Sequence, residues 1–152
     1  MMKTFTAICA LCAALLFSAC QDGSDDEKAM ALVMEATRHL EKQQYAACLQ
    51  LIDSLRSAYP KAIEARKAAL ALYQRAELQR AEQHVAQTDG ALQEAERRYG
   101  AMKQQVEALK AAGEATAEQL TQLTRMRMLR DSLKTVFDVE CAKIRYIKKK
   151  MQ

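Results

Sequence analysis

From Leu78 onward the apolar positions fall on a seven-residue period. Leu78, Val85, Leu92, Tyr99 and Val106 are seven apart, and Ala81, Thr88, Ala95, Met102 and Leu109 fill the companion position. A pair of core positions repeating every seven residues is the seam of a coiled coil. Asp89-Gly90, a turn dipeptide, falls inside the seam. Glycine within a helix costs only about 1 kcal/mol against alanine. A well-buried large apolar side chain contributes about 1.5–3 kcal/mol. The seam keeps its phase across Gly90, so one continuous helix is expected there.

The next break is Ala111-Ala112-Gly113, and Thr116 with Gln119 then forms a capping box. A last helix is expected over about residues 117–149. Its stripe reads Leu120, Leu123, Met126, Leu129, Leu133, Phe137, Cys141, Ile144 and Ile147. Segments 78–111 and 117–150 are equal in length, about 50 Å each at the helical rise. A short connection makes them antiparallel neighbours. Reflection about residue 114 pairs Met102 with Met126, Tyr99 with Leu129, Leu92 with Val136 or Phe137, and Val85 with Ile144.

Upstream, a first helix is expected over about 25–43 with Met30, Val33, Met34, Thr37 and Leu40 inward. A second is expected over about 44–58 with Tyr45, Cys48, Leu49, Ile52 and Leu55 inward. Tyr59-Pro60 ends it, because proline disfavours helical geometry in the residue before it. A third opens after Pro60, with Ile63, Ala69, Leu70, Leu72, Tyr73 and Ala76 as its first apolar positions. Tyr45, Cys48, Ile52, Leu55 and Pro60 keep the second-helix order of a tetratricopeptide-type repeat, and the stretch resembles half of one such unit. In the first helix the glycine and aromatic positions of that family hold Ala36 and His39. One unit does not make a stack, which needs about three.

No run of alternating β-branched and aromatic residues occurs, so no strand is expected. The reading is all-α: a short repeat-like helical hairpin over 28–77, then a long antiparallel coiled-coil helical hairpin over 78–152.

The N-terminus has a different pattern. Met1-Met2-Lys3 precedes an apolar stretch from Phe5 to Phe17, which ends Ser18-Ala19-Cys20. A basic start, a short apolar core and small residues before a cut make a secretory signal peptide over 1–19, cleaved between Ala19 and Cys20. The apolar core falls short of the about 20 residues that span a bilayer. Cysteine after the small pair resembles the lipobox of bacterial lipoproteins, although Phe17 stands where that family has leucine. The resemblance implies a diacylglyceryl group on the Cys20 thiol and an acyl chain on its amine. Two signals of that kind satisfy the requirement that one acyl chain alone does not meet.

Gln21-Asp22-Gly23-Ser24-Asp25-Asp26-Glu27 carries four acids and no base, and segment 20–27 reads as an acidic tether. It resembles the export signal that follows the lipid cysteine in surface-exposed lipoproteins of Bacteroidota type. Ser24, Asp25, Asp26 and Glu27 are the candidate export residues. The same residues also suit a helix start, with Ser24 and Glu27 as a capping box and the acids at the positive end of the helix dipole.

Few aromatics, no Trp and one proline fit long helices. The C-terminal segment is basic, with Lys143, Arg145, Lys148, Lys149 and Lys150. Cations favour a helix C-terminus. The same cluster is also a candidate contact patch for phosphate-bearing lipid, anionic polysaccharide or an acidic protein. A secreted chain offers no reason to read it as nucleic-acid binding. Cys48 and Cys141 form no C-x-x-C pair, and the hairpin registers set them about 24 Å apart along the helices. That separation is beyond disulfide reach. Both are expected as small core residues.

Motifs that carry chemistry are missing. The glycines are scattered and form no phosphate loop. His39 and His84 belong to no helical metal pair, and no nucleophile elbow occurs. No catalytic residue, metal site, cofactor or small-molecule substrate is expected. Glu107 with Lys110 and Asp131 with Lys134 read as solvated helix pairs. The reading is a lipid-anchored cell-envelope lipoprotein of the outer membrane, a candidate for surface display, acting as a structural or protein-interaction module. The alternative is a holdase-like periplasmic chaperone or an envelope-assembly accessory.

Overall fold

The computed structural model describes residues 21–152, with side chains from Asp25 onward. The signal peptide over 1–19, its cleavage between Ala19 and Cys20, and lipidation at Cys20 lie outside the described residues. Those described form four helices and no strand: α1 Gln21–Glu41, α2 Tyr45–Ala58, α3 Ile63–Ala112 and α4 Ala117–Lys150. The chain divides into two compact units, one ending at Ala76 and one running from Glu77 to Gln152. Helix α3 contributes to both.

In the first unit α1, α2 and the start of α3 share one core. Its large members are Val33, Leu40, Ile52, Leu55 and Leu72, with Cys48 fully buried among them. The other members are alanines: Ala29, Ala36, Ala62, Ala65, Ala69 and Ala76. In α2 the expected face is the buried one. In α1 the stripe is turned by one position. Ala29, Val33, Ala36 and Leu40 are buried, whereas Met30 and Met34 are 36% and 57% exposed. Small side chains let the backbones approach closely, and two alanines at 0% exposure serve here where large methionines were expected. The same holds at the start of α3, where Ile63 and Leu70 face outward and Ala62, Ala65 and Ala69 face inward.

Helix α1 already includes Gln21, so residues 21–27 of the segment expected as a tether are helical, and Ser24 lies within the helix and not at its start.

α1 ends in a turn built on Gln43, which has φ 57°. The Gln44 N–H donates to the His39 carbonyl at 2.9 Å, and the Gln43 N–H donates to Leu40 at 2.9 Å. This is the Schellman arrangement, with a left-handed residue closing the helix. Helix α3 ends the same way: Gly113 has φ 77°, and the Glu114 N–H donates to the Leu109 carbonyl at 2.8 Å. Glycine takes that conformation without the steric cost of a Cβ.

In the second unit the rest of α3 and α4 form the antiparallel hairpin. Helix α3 passes through Gly90 without a break. Its seam residues Ala81, Thr88, Leu92, Ala95 and Val106 are buried, and Leu78, Val85, Tyr99, Met102 and Leu109 are half-buried. Thr116 caps α4 as a complete capping box: its hydroxyl accepts from the Gln119 N–H at 3.2 Å, and the Gln119 side chain accepts from the Thr116 N–H at 2.9 Å.

On α4 the inward positions are Leu123, Met126, Arg130, Leu133, Phe137, Glu140, Ile144 and Ile147, alternating three and four apart. Leu129, expected inward opposite Tyr99, is 57% exposed. The heptad phase falls on Arg130, whose guanidinium lies 4.3 Å from the Tyr99 ring centroid. A planar cation stacked on an aromatic ring fills a seam position that apolarity alone assigns to leucine.

Candidate interaction surface

The basic end of α4 is divided by what its neighbours offer. Lys143 Nζ lies 2.6 Å from Glu77 Oε2 on α3, and Lys148 Nζ lies 2.9 Å from Glu82 Oε1. Glu77 is only 7% exposed and also takes Arg80 at 2.9 Å, so a nearly buried carboxylate is held between two cations. One partner lies in its own helix and one across the seam. An ion so placed needs such partners to offset lost hydration. Lys143 therefore ties α4 to α3 at Glu77, whereas Lys148 and Glu82 form a solvent-exposed pair across the seam.

Arg145, Lys149 and Lys150 are exposed and have no ion-pair partner among the described residues. Lys150 Nζ stands 5.7 Å over the Tyr146 ring, and that ring is itself 62% exposed. Of the five residues read as a basic patch, these three keep their charge exposed.

A further polar pair crosses the seam. His84 Nδ1 and Glu140 Oε1 are 3.3 Å apart. The second carboxylate oxygen, Oε2, is buried and has no hydrogen-bond partner among the described residues. Glu140 occupies a seam position, so α4 carries two charged groups, Arg130 and Glu140, where a uniform coiled coil holds apolar side chains.

Next to the seam, α4 exposes apolar surface. Met128 is 62% exposed, Leu129 57%, Val139 59% and Val136 39%. The sequence places Leu129 and, as one of two options, Val136 in the seam, and both instead face outward; Leu129 and Val136 sit seven apart, as do Val139 and Tyr146. A second heptad one place before the first was the available signal. The first unit likewise has a shallow groove lined by Arg56, Ile63, Arg66, Lys67 and Leu70 that the sequence reading missed.

Elsewhere the charges pair locally. Glu107 and Lys110 approach to 3.5 Å as expected, but Lys134 turns to Asp138 at 3.3 Å, because Asp131 is taken by Arg130. Glu94 accepts from Arg97 and Arg98, which hold its carboxyl down at about 2. Cys48 and Cys141 are free thiols, and burial pushes the Cys48 thiol up.

The export candidates Asp25, Asp26 and Glu27 lie on the early turns of α1. Asp25 and Asp26 are half-buried, with Oδ1 of Asp26 unpartnered, and Glu27 is exposed. No group of three or more His, Cys, Asp or Glu side chains among the described residues is placed to hold a metal ion. No helix among them is long and apolar enough to cross a membrane.

Compared with protein-family models, characterised proteins and solved structures, the chain gives no significant match.

Proposed function

We propose that this chain is a lipid-anchored cell-envelope protein, attached to the outer membrane through Cys20, that serves as a non-catalytic structural or protein-interaction module. The observation that carries the interaction role is the exposed apolar stripe of α4 beside an already filled seam. Large apolar groups rimmed by polar ones mark docking surfaces. Leu129, Val136 and Val139 have no core left to join, and Arg145, Lys149 and Lys150 add unpaired positive charge at one end. The anchor rests on Met1-Met2-Lys3, the apolar run to Phe17 and Ser18-Ala19-Cys20. Ser24 to Glu27 support surface display as the acidic segment following that cysteine.

Fractionation of cells producing the wild type and Cys20→Ala tests this reading. The wild type sediments with envelope membranes and stays there through a high-salt wash. Cys20→Ala is released or left in precursor form. A Cys20→Ala chain that fractionates like the wild type contradicts the reading.

The same exposed stripe favours a second reading, a holdase that shields unfolded chains. Suppression of aggregation of a denatured client by the wild type, lost in Val139→Lys, would support it. A chain that leaves client aggregation unchanged excludes it.

A further inference from the structure

Cys141 to Gln152 carries five cations and no acid, and from Val139 to Lys150 no Ser, Thr, Asn or Gln occurs. The hairpin sorts these cations. Lys143 goes to Glu77 and Lys148 to Glu82. Arg145, Lys149 and Lys150 stay exposed, with no ion-pair partner among the described residues. At the helical period, Arg145, Lys149, Ala142, Tyr146, Val139 and Lys150 follow one another around an arc of about 140°. All six are exposed, and the arc lies opposite Ile144 and Ile147, the seam residues at this end. Asp138, one turn before Ala142, falls within the arc and is paired with Lys134 at 3.3 Å. The middle of the arc is apolar, with Arg145 and Lys149 along one edge and Lys150 along the other. The Tyr146 ring, 62% exposed, carries the Lys150 ammonium 5.7 Å from its centroid.

We propose that this end of α4 lies against the surface of a bilayer that contains anionic lipid, with the three cations at the phosphates and the Tyr146 ring among the headgroups. The inference rests on and deepens the reading of the chain as an envelope interaction module, by naming what its basic end meets. The face is the outside of a single helix, convex and continuous, and suits a broad, flat surface. A sugar or a peptide is instead held in a concave site by a few directional polar groups. No Ser, Thr, Asn or Gln side chain stands here to supply them. A basic helix face with an aromatic ring among its apolar residues has the composition of an interfacial helix. Tyrosine, apolar in its body and polar at its tip, settles where headgroups meet acyl chains.

Each cation beside an anionic surface raises partitioning about fivefold, so three raise it about a hundredfold. That is a weak contact for a free chain. It is an effective one for a chain already tethered to the membrane, because the tether supplies a high local concentration. The charges are solvent-exposed, so salt screens the contact.

Residues 20–152 without acyl groups keep every described helix and leave the anchor out of the measurement. Co-sedimentation with sucrose-loaded vesicles of phosphatidylglycerol and phosphatidylcholine in about equal parts, with lipid from about 0.1 to about 10 mM, reads the contact. The wild type is expected to bind at about 0.1 M salt and to be released at about 0.5 M. Vesicles of phosphatidylcholine alone are expected to bind it about tenfold or more weakly. Arg145→Gln, Lys149→Gln and Lys150→Gln in one chain are expected to lower partitioning about a hundredfold. The melting temperature should stay close to the wild type, since all three side chains are exposed. Lys42→Gln, Lys61→Gln and Lys103→Gln, at exposed positions elsewhere, remove the same net charge and are expected to leave binding little changed. Tyr146→Ala is expected to weaken it severalfold.

A wild type that does not bind the anionic vesicles overturns the proposal, and so does a variant at 145, 149 and 150 that binds like the wild type. Equal losses in the two triple variants also overturn it, since the contact would then be one of net charge. Unchanged binding by Tyr146→Ala overturns the seating of the ring. A wild type that ignores the vesicles yet is retained on an acidic polysaccharide matrix overturns the proposal and gives the basic end to a polysaccharide. None of these results touches the anchor, which fractionation of Cys20→Ala tests separately.

Discussion

The guanidinium of Arg130 stacks 4.3 Å above the centroid of the Tyr99 ring, across the seam of the long hairpin. Asp131 holds the same guanidinium from its own helix. A cation lying on an aromatic face contributes about 0.5–2 kcal/mol, depending on how dry the site is. A double-mutant cycle with Arg130→Ala and Tyr99→Ala is expected to give a coupling of about 1 kcal/mol in urea denaturation. Additive single effects would show that the two residues are only neighbours.

Leu92 is 8% exposed at the middle of the seam. Leu92→Asp places a carboxylate there with no partner, at an expected cost of about 3 kcal/mol or more. A melting curve unchanged from the wild type would mean that the seam is not formed.

Gln43 and Gly113 close two helices with the same left-handed turn, but only one of them is glycine. Gln43→Gly is expected to stabilise the first unit by about 0.5–1 kcal/mol, and Gly113→Ala to destabilise the hairpin by about 1 kcal/mol. Nothing stands within 4 Å of a Cβ added at Gly113, so the expected cost is conformational and not steric. Chemical denaturation of the two variants should move in opposite directions.

Much of this fold is legible in the sequence, and each departure has a cause. The α3 seam reads correctly from Leu78 to Leu109 because its heptad is carried by residues whose apolarity and phase agree. In α4 they disagree: Leu129 is apolar and Arg130 is in phase, and phase decides the inward position. In α1 the reading weighted Met30 and Met34 above Ala29 and Ala36, yet close helix approach rewards the smaller side chains. The basic cluster was visible as composition. Its division was not, because Glu77 and Glu82 lie far from Lys143 and Lys148 in sequence and meet them only through the hairpin. Leu129 and Val136 are assigned to the seam by apolarity alone, and only the seam filled by Arg130, Leu133 and Phe137 leaves them, with Val139, as a second apolar face.

Glu94 is an exposed carboxylate held at about 2 by hydrogen bonds from Arg97 and then Arg98. Its folded value lies below the ordinary value of about 4.3. The stabilisation is therefore complete above that ordinary value and is lost as pH falls through about 2. A carbon-detected NMR titration is expected to show the Glu94 carboxyl changing near pH 2, and Arg97→Gln with Arg98→Gln is expected to move it up towards the ordinary value. A wild-type midpoint near the ordinary value would show that the arginine contacts do not persist in solution.

Attachment through Cys20 is read out by metabolic labelling with a fatty-acid probe. The wild-type chain is expected to incorporate the probe, and Cys20→Ala is not. A wild type that takes up no label, or a Cys20→Ala chain labelled as strongly as the wild type, would contradict it.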